Sequence, residues 1–348
     1  MITKKNQKYF MIGMVAFSVM VSSFVFYFYQ VFFSPNTLTE SEQPVAFRIH
    51  SNANFRQVSD SLTEKNIITD VISFSFVAKI MKYQENVKPG LYAIKPKMSN
   101  KDLVSLLRSG SQTPVQLTFN NIRTKEDLSE KITSNLEIKN EQFLHLLEDS
   151  LYIRKFKFEE ETIMSMFIPN TYEVYWNISP EQLFDRMYRE YNKFWNDERK
   201  EKARVLGMTP EEVSTLASIV QAETAKRDER PKVAGVYINR LERNIPLQAD
   251  PTLVFALGDF NIKRVLNVHK EIESPYNTYK YAGLPPGPIN LPEISSLDAV
   301  LNYQKHNYIY FCAKEDFSGY HVFSTNLRDH LNQARKYQSA LNAANIYQ

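Results

Sequence analysis

Residues 209–241 read TPEEVSTLASIVQAETAKRDERPKVAGVYINRL and predict two consecutive helices within an α+β fold. Thr209, Pro210 and Glu212 fit the N-cap, N1 and N3 positions of a capping box, so the first helix is expected to begin at Pro210. Pro231 stands near the start of the second helix, where its missing N–H leaves no hydrogen bond unmade. This helix pair is the best-defined part of the sequence.

Glu223 is predicted to lie at the end of an apolar stripe on the first of these helices. Leu216, Ile219 and Val220 precede it at helical spacing. Burial disfavours the charged form of a carboxyl group and raises its pKa, and a protonated carboxyl can act as a general acid on a glycosidic oxygen. The alternative is that Glu223 pairs with Arg227, four residues later.

The segment SPYNTYKYAGLPPGPIN (274–290) is dense in Tyr, Asn, Thr, Gly and Pro, so no regular helix is expected there. It offers aromatic faces, amides and hydroxyls, which stack on sugars and hydrogen-bond to them. A packed structural loop has the same composition, and both interpretations stay open at this point.

The N-terminal region contains FMIGMVAFSVMVSSFVFYFY (10–29), a run without any charged residue. A helix of that length covers about 30 Å, the thickness of the hydrocarbon core of a bilayer. Lys4, Lys5 and Lys8 precede it and predict a cytoplasmic N-terminus. We therefore expect a single-pass protein of the cell (inner) membrane with its catalytic domain outside the cytoplasm. A cleaved signal peptide is the alternative, and it gives the rest of the chain the same location.

The order of predicted elements divides the chain into several parts. A polar segment follows the membrane helix, then short strands and capped helices, and one long helix is expected over 179–207, ended by Gly207. The predicted boundaries are a cytoplasmic N-terminus (1–9), a transmembrane signal anchor (10–33), a linker (34–44), a small α/β module (45–112), a connecting subdomain (113–170) and a mixed α/β catalytic domain (171–345). The module is expected either to bind a ligand or to act as a spacer.

The composition argues against several classes of function. The net charge is +3 and no long basic run occurs, so a nucleic-acid partner is not expected. The six histidines are scattered without H-E-x-x-H spacing, and neither a metal nor another cofactor is predicted. Cys312 is the one cysteine, which excludes an intrachain disulfide, and it is expected to be a small buried apolar residue.

Several stretches of the chain resemble, in order, the blocks of the MltG (YceG-like) family of endolytic murein transglycosylases. The C-terminal blocks are LASIVQAET, ERPKVAGVYINRL, LQADPT, PYNTY, GLPPGPI and TNLRDH. Upstream, GLYAIKPKMSNKDLVSLLRSG resembles part of a LysM-like region, and IPNTYEVYW resembles a further block. The resemblance covers nearly the whole chain and is specific because so many blocks occur in one order.

This resemblance implies an endolytic peptidoglycan lytic transglycosylase, which is a lyase. Such an enzyme cleaves the β-1,4 bond between N-acetylmuramic acid and N-acetylglucosamine in nascent glycan strands and leaves 1,6-anhydro-muramyl ends, which is expected to terminate strand elongation. Implied partners are glycan strands, the membrane and peptidoglycan synthases (penicillin-binding proteins). The family's catalytic glutamate falls in IVQAET, on a helix, and corresponds to Glu223.

Other residues of the blocks are expected to line or shape the substrate cleft. The expected lining residues are Asn239, Arg240, Gln248, Asp250, Tyr276, Asn277, Thr278 and Tyr279. Asn326 and His330 are expected close by, and Pro285, Pro286 and Gly287 are expected to shape the wall.

The chain departs from the family pattern at two places. Many relatives have two glutamates in the catalytic block, as in IVEKET, whereas Gln221 occupies the first position here. A glutamine cannot donate a proton as an acid, which leaves Glu223 as the acid of this block. Residues 120–121 are Asn-Asn where many relatives have an acidic residue and glycine, a change that is expected to leave catalysis unaffected.

Two other functions remain open from the sequence. Asp250 is a second carboxylate, so the chain could be a two-carboxylate muramidase, a hydrolase. The other is a non-catalytic peptidoglycan-binding scaffold at the membrane.

Overall fold

A computed structural model describes residues 4–38, 43–262 and 264–344. The chain forms two compact units. The first contains the residues up to Val115 together with Asn135–Glu137 and Glu173–Ile178, and the second contains Gln116–Ser134, Ile138–Tyr172 and the residues from Ser179 onward. Both units contain helices and short strands, which confirms the predicted α+β class.

The first unit combines a long N-terminal helix with a small α/β module. The strands of the module pair antiparallel, with Val45 opposite Ile94. Asn54 and Ser99 are the N-caps of two of its helices, and Gly110 ends the second of these with φ 74°, a left-handed conformation that favours glycine. The elements are α1 (Lys4–Phe33), β1 (Val45–Ile49), α2 (Phe55–Glu64), α3 (Val71–Ile80), β2 (Gly90–Ile94) and α4 (Asn100–Ser109).

Helix α1 is apolar and long enough to cross a membrane. The span Asn6–Phe33 has a mean hydropathy of 2.0, and it is the one helix of this kind in the described part of the chain. The outward side chains of most of α1 are exposed, but Val31 and Phe32 in its last turn are buried in the core of the module. The apolar helix is therefore joined to the module by packing as well as by the chain.

Residues 34–38, the first part of the predicted linker, pack against the module. Asn36 and Thr37 are buried, and the Asn36 side-chain amide donates to Asn100 Oδ1 at 2.7 Å. The backbone N–H of Thr37 donates to the carbonyl of Met98 at 3.2 Å. Polar side chains here satisfy buried groups, which composition alone did not indicate. Residues 39–42 of the predicted linker and residues 1–3 of the predicted cytoplasmic segment lie outside the described residues.

The second unit is mainly helical. Its elements, with two strands that contain residues of both units, are β3 (Val115–Thr118), α5 (Lys125–Thr133), α6 (Asn140–Glu148), α7 (Ser150–Ile153), β4 (Thr171–Val174), α8 (Pro180–Phe194), α9 (Asp197–Val205), α10 (Pro210–Glu223), α11 (Arg230–Glu242), α12 (Asp250–Leu257), α13 (Ile294–Leu301), β5 (Tyr310–Ala313), β6 (His321–Ser324) and α14 (Leu327–Ala343). Helices α5 and α6 pack together, as do α8 and α6, and the C-terminal helix α14 covers the hairpin of β5 and β6.

Two sequence predictions for this unit need correction. The single helix expected over 179–207 is two helices, because the Asn196 side chain accepts a hydrogen bond from the Arg199 N–H and starts α9 after the fully buried Trp195. Cys312 lies on β5 and is half-buried, not fully buried. Most of the predicted connecting subdomain, 113–170, falls in the second compact unit and forms no unit of its own.

Helix α10 is the centre of this unit. It packs against α11, α12 and α13, and every residue from Val213 to Val220 is buried. The capping box of Thr209 and Glu212 starts it as predicted. The apolar residues of the predicted stripe are buried as expected, but so are the residues between them, and the middle of the helix is enclosed on all sides. What distinguishes Glu223 is its place at the end of the helix.

Candidate active site

Glu223 is the last residue of α10, and the backbone turns to an extended conformation at Thr224. The side chain is half-buried and lines a cleft of about 490 Å³. A helix C-terminus carries partial negative charge, so it disfavours an ionised carboxylate at that place. The fold therefore puts a carboxyl group where its charged form is poorly stabilised.

Tyr237 on α11 is the direct partner of this carboxyl group. Its hydroxyl donates to Glu223 Oε1 at 2.8 Å, and its ring is buried. Burial raises the pKa of Glu223 to about 7, and the nearby charge of Asp250 acts in the same direction. The Tyr237 hydrogen bond and the Arg240 charge lower that pKa without cancelling the effect of burial. Glu223 is thus partly protonated at neutral pH.

The alternative pairing of Glu223 with Arg227 is wrong. Helix α10 ends at Glu223, so Arg227 does not lie one turn further along the same helix. Arg227 instead forms an ion pair with Glu293 at 3.1 Å, and the buried Arg230 binds the same carboxylate at 3.0 Å. None of the ion pairs between described residues involves Glu223.

Asp250 lines the same cleft as Glu223. It is the first residue of α12, and the Tyr279 hydroxyl donates to its Oδ1 at 2.5 Å. Burial is the main cause that raises the pKa of Tyr279 above its usual range, and the hydrogen bond to Asp250 acts in the same direction. Thr278 holds the two segments together, because its carbonyl accepts from the Gln248 N–H at 2.9 Å. Four of the predicted residues are therefore neighbours.

Arg240 is buried close behind the cleft. Its guanidinium donates to the carbonyls of Ile309, Pro246 and Leu247 at 2.7–3.0 Å. Burial lowers its pKa, although arginine keeps its charge throughout the physiological range. Arg240 thus connects two backbone segments, residues 246–247 and the segment at Ile309, and supplies a positive potential near Glu223. Gln248, whose side chain accepts from the same guanidinium, has φ 51°, an uncommon conformation for a residue other than glycine.

The segment 274–290 contains no helix or strand, as predicted. Tyr276 packs its ring against Phe255 of the cleft, with centroids 4.8 Å apart. Asn277 is fully buried, and its side-chain amide donates to the carbonyls of Lys270 and Ile272, both at 2.9 Å. The segment therefore combines a residue next to the cleft with residues that hold the loop in shape.

Gln221 takes part in a hydrogen-bond network instead of acid chemistry. Its Oε1 accepts from the N–H of Glu293 at 2.7 Å and from the Ser296 hydroxyl at 3.0 Å. Its Nε2 donates to Asn290 Oδ1 and to the Leu291 carbonyl. An amide satisfies both donors and acceptors here, which a carboxylate cannot do.

One residue of the Asn-Asn pair at 120–121 lies at the site. Asn121 lines the cleft and has φ 52°, a left-handed conformation that asparagine and glycine adopt most readily. Arg123 also lines the cleft, with its guanidinium 4.8 Å from the ring centroid of Phe260. One residue of this departure therefore lies at the cleft, and the prediction that the departure leaves catalysis unaffected stays a prediction.

Several predicted residues do not line the cleft. Asn239 donates to the carbonyls of His306 and Tyr308 at 2.7 and 2.8 Å, so it fixes the segment before β5. Asn326 caps α14, and the ring of His330 stacks on Tyr310 at 5.1 Å. A family block locates a segment but does not indicate which way its side chains point.

The proline-rich block also departs from the prediction. Pro285 and Pro286 line a separate cavity of about 720 Å³. At Gly287 a Cβ atom would stand 1.9 Å from the carbonyl oxygen of Glu161, so only glycine allows this close packing. The block shapes the unit around the site and is not part of the wall next to Glu223.

Tyr237, the partner of Glu223, was not predicted from the sequence, where it is one hydroxyl within the buried run VAGVYI. Lining residues of the cleft such as Phe255 and Phe260 were not predicted either. No group of three metal-ligating side chains occurs in the part of the chain that the structure describes. The cleft is lined by Asn121, Arg123, Gln221, Ala222, Glu223, Asp250, Pro251, Val254, Phe255, Phe260, Ile262, Val265, Ile289 and Asn290.

Comparison with known proteins identifies relatives along nearly the whole chain. A family model described as the YceG-like family matches residues 47–336. A protein of Bacillus subtilis named endolytic murein transglycosylase is 28% identical, and the match covers 87% of each chain. A Streptococcus pneumoniae protein of the same name is 26% identical over 96% of this chain and 66% of its own length. The crystal structure of a yceG-like protein from Listeria monocytogenes is 26% identical, with a TM-score of 0.56 over 84% of this chain and 99% of that one.

Proposed function

We propose, since the chain belongs to the YceG-like family, that it is an endolytic murein transglycosylase, a lyase that acts on peptidoglycan. In this reaction the β-1,4 bond between N-acetylmuramic acid and N-acetylglucosamine is cleaved inside a nascent strand and a 1,6-anhydro end is formed. The observation that carries the proposal is Glu223, a carboxyl group in a cleft with a pKa raised to about 7, mainly by burial. An acid with a pKa near the working pH is the group that protonates a leaving oxygen most effectively.

Glu223 supplies the proton in the proposed first step. Its protonated carboxyl donates to the glycosidic oxygen as the bond between C1 and that oxygen breaks. Because Tyr237 occupies Oε1, we assign the proton transfer to Oε2. Tyr237 is a positioning residue in this scheme, since its hydroxyl holds the carboxyl group in one orientation.

The same carboxylate completes the reaction. It accepts the proton of the muramyl C6 hydroxyl while that oxygen bonds to C1 and closes the 1,6-anhydro ring. The proton gained in this step replaces the one given up in the first, so Glu223 returns to its starting form. The nucleophile belongs to the substrate, and therefore one carboxylate suffices and no water is consumed.

The remaining lining residues are proposed to bind the strand. Phe255 and Phe260 offer aromatic faces for sugar rings, and Asn121 and Asn290 offer amide groups for hydroxyls and acetamido groups. Arg240 is proposed to stabilise the carboxylate form of Glu223 between the two proton transfers. The other residues of the family blocks support the cleft from behind.

The second candidate is a muramidase in which Asp250 activates water, and its basis is the presence of that carboxylate in the same cleft. The hydrogen bond from Tyr279 to Asp250 gives this carboxylate a structural role in positioning the segment 274–290. We therefore favour the single-carboxylate mechanism. A non-catalytic scaffold has less support, because it gives no reason for a carboxyl group with a raised pKa at the cleft.

Helix α1 is proposed to be a single-pass anchor of the cell membrane, with the N-terminus in the cytoplasm and the catalytic unit outside. Lys8 and the lysines before it support this orientation. The α/β module of β1, α2, α3, β2 and α4 is proposed to be LysM-like and either to bind glycan or to act as a spacer. Peptidoglycan synthases are proposed partners, because the substrate is nascent.

Mass spectrometry of digested glycan tests the proposal. Purified strands, incubated with the full chain, are expected to yield muropeptides with anhydro ends, each lighter by one water than the product of hydrolysis. Digestion in ¹⁸O-labelled water is the control, since it labels hydrolytic ends only. Labelled reducing ends on muramic acid would favour the muramidase, and the absence of any new ends would favour the scaffold.

A further inference from the structure

Helix α3 of the module exposes large apolar side chains in a single row. Ile72, Phe76 and Ile80 are spaced four residues apart, which places them along one face of the helix. Their exposed fractions are 79%, 47% and 49%. The opposite face, which includes Phe74 and Val77, is buried in the core of the module. The helix is therefore apolar on both faces, although only one is covered.

The other two helices of the module do not have this property. The exposed positions of α2 are polar residues such as Arg56, Gln57 and Asp60. Those of α4 are polar as well, for example Asp102 and Arg108. A surface helix in water normally has such a polar outer face. The outer face of α3 is the exception and indicates a different environment.

Helix α3 lies next to the end of the apolar N-terminal helix. It packs against α1, as does α4. Val31 and Phe32 in the last turn of α1 are buried in the module core, and the side-chain amide of Asn100 donates to the Val31 carbonyl at 2.9 Å. These contacts hold α3 beside the part of α1 that would leave the bilayer.

Two lysines accompany the apolar row. Lys79 is exposed in the last turn of α3, and the Lys101 ammonium stands 5.2 Å from the ring centroid of Phe33, at the end of α1. Aromatic and apolar side chains next to lysines are the composition of segments that lie in a membrane interface, where cations meet lipid phosphates. A large exposed apolar patch on a protein usually marks a surface that contacts a membrane or another protein.

We propose that the outer face of α3, defined by Ile72, Phe76, Lys79 and Ile80, inserts into the headgroup region of the bilayer that α1 spans. Its partner is an anionic phospholipid surface. The inference rests on the proposed membrane anchor and adds a second contact, which fixes the orientation of the module on the membrane. The contact of α3 with the end of α1 favours lipid over a protein partner, because it keeps this face beside the bilayer.

Spin-label depth measurements on the full chain test this contact. Cys312→Ser removes the native thiol, and single cysteines are then placed by Phe76→Cys on α3, Asp60→Cys on α2 and Val19→Cys in α1. Each labelled protein is reconstituted in vesicles of phosphatidylcholine and phosphatidylglycerol. Collisions of the label with oxygen, which is concentrated in lipid, are compared with collisions with a water-soluble nickel complex. The unfolding temperature of each labelled protein shows that the module remains folded.

We expect the label at position 76 to collide with oxygen several-fold more often, relative to nickel, than the label at 60. The preference should weaken in vesicles of phosphatidylcholine alone, because Lys79 and Lys101 then lose their anionic partners. Equal values at 76 and 60 would overturn the proposal, as would a label at 76 shielded from both probes, which would indicate a protein cover. A label at 19 that is exposed to nickel would mean instead that the anchor itself is wrong.

Discussion

The two ends of helix α10 each carry a glutamate that accepts a hydrogen bond from a tyrosine. At the N-terminal end, Glu211 Oε1 accepts from Tyr191 at 2.6 Å. At the C-terminal end, Glu223 Oε1 accepts from Tyr237 at 2.8 Å. The local pairs are alike, but the helix dipole stabilises a carboxylate at the first end and destabilises it at the second. Only Glu223 lines the cleft. Position along one helix thus separates a structural carboxylate from a candidate acid.

Replacement of each glutamate by glutamine should give the largest difference in cleavage activity between the two ends of the helix. Glu223→Gln keeps the shape of the side chain but removes the acid, so cleavage of glycan strands is expected to fall by roughly a hundredfold to ten-thousandfold. Glu211→Gln is the matched control and is expected to retain activity within a few-fold. Anhydro ends released per minute from purified strands measure both. Equal losses in the two variants would mean that the two ends of the helix are not functionally different.

Stability should depend on pH through Glu223. The pKa of Glu223 in the folded chain is about 7, against an ordinary value of 4.5, so folding favours the protonated form. Its contribution to stability is fully present below about pH 4.5 and is lost as the pH rises through about 7, a change of about 3 kcal/mol. Glu223→Gln should therefore gain stability relative to the parent between pH 5 and pH 8. Denaturant unfolding of the parent and of Glu223→Gln at a series of pH values checks this.

The tyrosine hydroxyls offer a third comparison. Tyr237→Phe removes the hydrogen bond that lowers the pKa of Glu223, so the alkaline limb of the pH profile of kcat/KM should shift to higher pH by a fraction of a unit. The loss of the fixed carboxyl orientation is expected to reduce kcat by about tenfold or less. Tyr191→Phe is the control at the other end. If the pH profile is unchanged in both variants, Tyr237 does not influence the pKa of Glu223.

Gln221→Glu should have the smallest effect on catalysis. It restores the pair of glutamates that many relatives carry, but a carboxylate cannot donate to Asn290 and Leu291 as the amide does. We expect a loss of about 1–2 kcal/mol in the free energy of unfolding, with activity retained within about tenfold. Gln221→Met, which keeps the length without polar groups, separates the lost hydrogen bonds from the added charge. A large loss of cleavage without a loss of stability would assign Gln221 a direct role in the reaction.

The start of α10 could be predicted from sequence because its signal is local. Thr209, Pro210 and Glu212 satisfy one another within a single turn, and the structure has the capping box where the spacing indicates it. The stripe that indicated Glu223 was a weaker guide, since the residues from Val213 to Val220 are buried on all sides. The resemblance to the family and the departure at Gln221 indicated the same glutamate.

Contacts between distant segments could not be predicted in this way. Tyr237 lies fourteen residues beyond Glu223 on the next helix, and only the packing of α10 against α11 brings the hydroxyl to the carboxyl group. Pro285 and Pro286 were expected in the wall of the cleft, but the orientation of a loop depends on its neighbours and not on its composition. Asn121 reaches the cleft because its backbone is left-handed. The sequence Asn-Asn allows this conformation but does not predict it.

The titration of Glu223 itself shows whether this residue is protonated at neutral pH and can act as the acid. Infrared difference spectra between the full chain and its Glu223→Gln variant, recorded in detergent over a range of pH, isolate the carbonyl band of this one protonated carboxyl group. We expect the band to disappear with a midpoint near pH 7, at the same pH as the alkaline limb of the cleavage rate. A midpoint near the ordinary value of 4.5 would contradict it, because Glu223 would then be ionised at neutral pH and unable to act as the acid.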